Sequence, residues 1–142
     1  MNQYKLLTPG PLTTTDTVKK EMLVDHCTWD DDYKQLTQKI RRNLLKLAGV
    51  DDKEYTSVLM QGSGTFGVES VLGSSIGKED KVLICSNGAY GNRMIDIAAR
   101  AGLNYVSYHQ TYNKVPDANE IASILEEDKK ITRVAMVHSE TT

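Results

Sequence analysis

The 142 residues include only two cysteines, three prolines, one tryptophan and one phenylalanine. Cys27 and Cys85 lie far apart with no CxxC spacing, which excludes a disulfide framework and a zinc module of the usual spacing. The scarcity of proline, with only ten glycines, excludes collagen-like and low-complexity classes. Lys+Arg 17 against Asp+Glu 19 leaves a net charge of −2, so no positive excess drives binding to nucleic acid or anionic lipid. The longest apolar runs, Val82–Cys85 and Val134–Val137, fall far short of the roughly 20 residues that span a bilayer. The opening MNQYKLLTPGPL has no charged region followed by a long apolar stretch, so no signal peptide is expected. These absences point to a soluble, cytoplasmic chain without membrane or nucleic-acid partners. No repeat, charge block or linker marks a domain boundary.

What is present is a change of rhythm. Around Thr8-Pro9-Gly10-Pro11 the chain must be irregular, because each proline fixes φ and biases its predecessor towards extended geometry. A helix is expected from Thr15 or Asp16 to Val24. A longer one from about Asp32 carries Tyr33, Leu36, Ile40, Leu44 and Leu47 at helical spacing, with Gly49 as its stop. From Thr56 onward, short β-type runs alternate with helical patterns. Ser57–Met60 precedes a helix from Thr65 to Ile76, and Val82–Cys85 precedes one from Asn92 to Arg100. Tyr105–Tyr108 precedes one from Asp117 to Glu127, and Val134–Val137 is the fourth run. Asp117 and Glu120 have capping-box spacing, and Gly102 closes the preceding helix. Such alternation predicts an α/β fold, a mostly parallel sheet with helices on both faces. Thr142 follows soon after a run of buried-strand type, where a functional loop begins in open α/β sheets, so the chain reads as part of a longer protein.

Three segments at predicted strand ends can carry chemistry. Gln61-Gly62-Ser63-Gly64-Thr65-Phe66-Gly67 combines a tight turn, two hydroxyls and a helix N-terminus, which suits a phosphate. It is no Walker loop. Gly62, Gly64 and Gly67 match the GxGxxG spacing, yet the acidic residue expected after the next strand is replaced by Ser86-Asn87. Without a ligand the same loop is simply a strand-to-helix turn. Ser86 to Arg93 places Tyr90 between Gly88 and Gly91, where an aromatic can lie against a planar ring or pack at a helix entry. His138-Ser139-Glu140-Thr141-Thr142 follows the fourth run. A Ser–His–acid reading there lacks the G-x-S-x-G elbow, and His138 alone is more often a structural histidine. Cys85 reads as a small core residue, and Trp29 with Asp30, Asp31 and Asp32 as a solvated helix start. No metal-ligand spacing occurs.

TPGPLTT, CTWDDDY, VLMQGSGTFGVES, SNGAYGNRM and VHSETT occur in this order and together resemble the 2-aminoethylphosphonate–pyruvate transaminases. These belong to the class V, fold-type-I aminotransferases dependent on pyridoxal 5'-phosphate (PLP). The resemblance covers essentially the whole chain. It implies that residues 1–142 are the N-terminal segment and first half of the PLP-binding large domain, with the rest of that domain and the C-terminal small domain outside them. It implies that Ser63, Gly64 and Thr65 bind the PLP phosphate, that Tyr90 stacks on the ring, that Thr142 approaches the phenolic oxygen and that Gly10 lies near the substrate. It also implies small-molecule substrates (an aminoalkylphosphonate and a 2-oxo acid) and a homodimer. The family's Schiff-base lysine and pyridinium-binding aspartate correspond to no residue here, so no catalytic residue is assigned and the fragment is expected to be inactive. Another class V aminotransferase, or a non-catalytic phosphate-binding α/β module, are the alternatives. By the same resemblance, strands outside this stretch should separate the first run from the fourth, and the fourth from the second and third. The exposed edges that result should make the fragment marginally stable or prone to associate.

Overall fold

The computed structural model describes residues 4–8 and 10–142, and the chain divides into two compact units, Met1–Leu59 and Met60–Thr142. This boundary has no signature in composition. Pro9, part of the expected irregular opening, lies outside the described residues, while Thr8 Oγ1 donates to the Pro11 carbonyl at 2.6 Å.

In the first unit, α1 (Asp16–Glu21) starts at Thr15, whose hydroxyl accepts from Val18 N at 3.4 Å. It is shorter than expected. Helix α2 (Asp31–Leu47) has Asp31 and Asp32 in its positive first turn and ends at Gly49, whose φ of 70° is open to glycine without strain. Arg41 on α2 holds the following segment, donating from Nε to the Ser57 carbonyl at 2.8 Å and from Nη2 to Thr56 Oγ1 at 2.7 Å.

The second unit is a three-stranded parallel sheet with helices. Its elements run α3 (Gly64–Ser75), β1 (Lys81–Ser86), α4 (Ala89–Arg100), β2 (Tyr105–His109), α5 (Ala118–Glu127) and β3 (Ile131–Met136), in strand order β2-β1-β3. Because successive strand residues face opposite sides, Val82 and Ile84 enter one core with Leu72, Ile76, Met94 and Ala98 of the α3–α4 side. Leu83 and Cys85 enter the other with Tyr108 and, from α5, Ile121, Ile124 and Leu125. Helices thus cover both faces, and β1, fully buried from Val82 to Ser86, is the strand both cores share.

Two expectations about the sheet are corrected. Ser57–Met60 forms no strand: Val58 and Met60 are exposed and the run has no paired neighbour among the described residues. An apolar β-type sequence makes a strand only where another strand completes its ladder. The fourth run is also not separated from the second. β3 pairs directly with β1, Leu83 opposite Val134 on one side and opposite Val106 of β2 on the other. The β1–β3 register shifts at Thr132, whose hydroxyl instead donates to Asp80 Oδ1 at 2.6 Å. The capping box is half made. Asp117 caps Asn119 N at 2.7 Å, while Glu120 turns away to accept from the Tyr108 hydroxyl at 2.5 Å.

Candidate functional site

At the carboxyl ends of β1 and β3, the second unit brings together the start of α3, the start of α4 and the segment after β3. Ser63 is the N-cap of α3, and its Oγ accepts from Phe66 N at 3.1 Å. The Gly64 and Thr65 amides come too early in the helix to have an intrahelical acceptor, and no other acceptor matches them among the described residues. Thr65 Oγ1 accepts from Arg93 Nη1 at 3.0 Å. Each of these hydroxyl oxygens therefore accepts from the protein and keeps its own proton to donate. Two amides, two hydroxyl protons and a guanidinium gather at the positive end of a helix. This donor set fits a phosphate and offers nothing to a cation.

Helix α4 begins differently. Gly88, its N-cap, has no side chain with which to cap. The three first amides are instead taken by the segment after β3: Ala89 N donates to Thr142 Oγ1 at 3.0 Å, and Tyr90 N and Gly91 N donate to Glu140 Oε2 at 3.1 and 3.2 Å. Thr142 Oγ1 in turn donates to Glu140 Oε1 at 2.9 Å. With its α4 N-terminus neutralised by a carboxylate, this edge leaves α3 as the end open to an outside anion. Tyr90 is 42% exposed, and the Arg93 guanidinium lies 5.4 Å from its ring centroid.

Of the residues singled out in the sequence, Ser63, Gly64, Thr65, Tyr90 and Thr142 thus belong to one linked cluster. Gly10 is an exposed bend residue of the first unit. His138 and Ser139 are exposed, Cys85 is buried and Cys27 is exposed. The sequence reading missed Arg93 and Glu140. Arg93 follows Tyr90 by three residues, a spacing that puts both on one helix face, and this was the available signal. Glu140 acts across a gap of some fifty residues on backbone amides, for which no sequence signal exists. No lysine occurs in 61–65, 86–93 or 138–142. Among the described residues no three His, Cys, Asp or Glu side chains converge as a metal site, and no helix is long and apolar enough to cross a membrane.

Three carboxyls hold their protons less readily than usual. Partial burial raises Glu140, but the hydrogen bonds from Thr142, Gly91 and Tyr90 outweigh it, so the net direction is down. At the opposite end of the strands, the Thr132 hydroxyl and the Gly77 amide lower Asp80. Asp128 is lowered first by Lys81, 2.5 Å away, and then by the Lys130 amide. For a carboxyl depressed by folding, the stabilisation is complete above its ordinary value, 4.5 for Glu140 and 3.8 for the aspartates, and disappears as pH falls through the folded value. Urea midpoints are therefore expected to stay level from neutral pH down to about pH 5 and to drop in more acidic buffer. A midpoint that rises below pH 4 would contradict these pairings.

Comparison with known proteins places this architecture. The structure superposes with a TM-score of 0.81 on aspartate aminotransferase of subgroup IV from Thermus thermophilus, at 24% identity, covering 96% of this chain and 37% of that one. With ureidoglycine–glyoxylate aminotransferase from Bacillus subtilis the TM-score is 0.79 at 28% identity, over 94% of this chain and 34% of that one. The fold is that of part of a fold-type-I aminotransferase. In sequence the chain is similar to the N-terminal part of 2-aminoethylphosphonate–pyruvate transaminases. It is 59% identical over all 142 residues to that of Lysinibacillus sphaericus and 51% identical over 141 residues to that of Bacillus cytotoxicus. It spans 39% of the length of each of these relatives. No protein-family model matches it.

Proposed function

We propose that residues 1–142 form the N-terminal segment and first half of the large domain of a PLP-dependent 2-aminoethylphosphonate–pyruvate transaminase. The whole enzyme would move the amino group of 2-aminoethylphosphonate to pyruvate, giving phosphonoacetaldehyde and alanine. The observation that carries this reading is the 59% identity over all 142 residues to a relative of that name. The linked cluster of Ser63, Thr65, Tyr90 and Thr142 supports it independently. The glyoxylate aminotransferases among the structural neighbours share the fold at 24–28% identity, a much weaker resemblance that argues against assigning their substrates here.

In this reading PLP supplies an electron sink for the carbon that exchanges the amino group. The chain's own residues do simpler work. Ser63 and Thr65 would hold the phosphate with their hydroxyl protons, and the Gly64 and Thr65 amides with their N–H groups. Arg93 adds positive charge beside them. Tyr90, itself exposed, would offer its ring to the cofactor, and Thr142 would stand beside it at the start of α4. No lysine lies in the three segments, so they make a non-covalent half-site, and the covalent attachment comes from elsewhere in the enzyme. A homodimer acting on small molecules in the cytoplasm completes the proposal.

The test is a PLP titration of the 142-residue chain, followed by absorbance before and after borohydride reduction. Saturable binding that reduction does not trap is expected. The Ser63→Ala/Thr65→Ala double variant should weaken it about tenfold or more, since hydrogen bonds to a charged group contribute about 1.5–3 kcal/mol each. A reducible adduct on one specific lysine would show that the attachment point lies within these residues. No binding by a folded chain would overturn the site.

A further inference from the structure

We infer that Glu140 is a positioning residue: by clamping the first turn of α4 it fixes where the Tyr90 ring stands at the cofactor site. The inference rests on the cofactor reading above for its purpose, but its geometry stands alone. Four hydrogen bonds define it. One carboxylate oxygen takes the Tyr90 and Gly91 amides, the other takes the Thr142 hydroxyl, and that hydroxyl takes the Ala89 amide. Ala89, Tyr90 and Gly91 open the helix and have no acceptor within it, so without these contacts all three amides would be unpaired.

Helix α3 provides the contrast. Its cap, Ser63, is local and moves with the helix it starts. The cap of α4 comes from a segment some fifty residues later, and it ties the backbone that carries Tyr90 to the loop following β3. The sequence makes room for this: a side chain at Gly88 would run into the Glu140 side chain and the Thr142 hydroxyl. A serine or aspartate there, the usual local solution, would exclude the remote one. The ionisable groups nearest the clamp along the chain are Tyr90 itself, Arg93, one turn along α4 and against the Tyr90 ring, and His138, two residues before Glu140.

Amide hydrogen exchange by NMR, with PLP titration in parallel, tests the clamp on the 142-residue chain. In Glu140→Ala, exchange at Tyr90 and Gly91 should accelerate about tenfold, the equivalent of one hydrogen bond. Leu83 and Ile84 should stay protected, and PLP affinity should fall about five- to tenfold. Glu140→Gln keeps an acceptor oxygen at the same reach and should restore both readings to within about twofold of the parent. Glu140→Asp, one methylene shorter, should behave like alanine, and it decides the matter if alanine also releases β1. Unchanged exchange at Tyr90 and Gly91 in both the Ala and Asp variants would overturn the inference. So would equal loss of affinity in Gln and Ala with both amides still protected, because Glu140 would then act through charge on the ligand. If the amides respond as expected but no form of the chain binds PLP, the clamp stands and the cofactor reading is what fails.

Discussion

Ile84→Ala is expected to lower the stability of the second unit by about 2–5 kcal/mol. Ile84 is fully buried at the centre of β1 and packs into the cluster formed by Leu72, Ile76, Met94 and Ala98. The strand is held on both edges and both faces, so the neighbours cannot collapse into the space left by the lost side chain. Domains have a total stability of about 5–15 kcal/mol, and a loss of this size leaves little. Val134→Ala provides the control, because Val134 faces Leu83 in register from the edge strand yet remains 49% exposed. Its cost should stay below about 1 kcal/mol, in proportion to the smaller buried area. Urea denaturation followed by circular dichroism measures both. Equal costs for the two substitutions would mean that β1 is not the centre of this unit.

Gly91→Ala should produce the second large effect, and through backbone rather than side-chain packing. A Cβ built on Gly91 would lie 2.8 Å from Ser86 Cα and 2.6 Å from Ser86 Oγ. Ser86 cannot yield, because it is buried at the end of β1 and its hydroxyl bonds Asn92 Oδ1 at 2.7 Å. The helix start must therefore move off the strand, at about 1–3 kcal/mol, the usual range for overpacking. The same movement pulls the Gly91 amide from Glu140, so under the proposed cofactor reading PLP affinity should fall together with stability. Gly67→Ala is the opposite case. Gly67 lies inside α3 with nothing within 4 Å of the built Cβ, and alanine there should stabilise the helix by about 0.5–1 kcal/mol. Denaturation midpoints that move in the same direction for both glycines would show that helix propensity, and not the approach of α4 to β1, governs Gly91.

Much of this was legible in the sequence because the information was local. Val82–Cys85 is apolar at every position, as a strand buried on both faces must be, and Gly49 and Gly102 end helices with φ of 70° and 65°. Ser63 is an N-cap because it precedes a helix, and any such serine can reach back to the amide three residues on. What the sequence did not reveal depends on partners distant along the chain. Ser57–Met60 has the composition of a strand, but composition does not state whether a neighbouring ladder exists. Glu120 has the spacing of a capping box, yet the Tyr108 hydroxyl on β2 and the Gln110 side chain just after that strand compete for it and win. Asn92 looked like a helix start; α4 begins at Ala89, because Glu140 and Thr142 supply from afar the acceptors that its first turn lacks.

The central place of β1 has a consequence for the order in which the second unit assembles. Neither neighbouring strand has anything to pair with until β1 is in place, and the two partners of Leu83 reach it over very different lengths of chain. Val134 lies roughly twice as far along as Val106, and closing the longer link costs about 0.6 kcal/mol more in chain entropy. During synthesis β1, α4 and β2 also leave the ribosome together as a β-α-β unit before β3 exists. The loop bearing Glu140 follows β3, so within this unit the Tyr90 ring is set in place only once β3 has docked on β1.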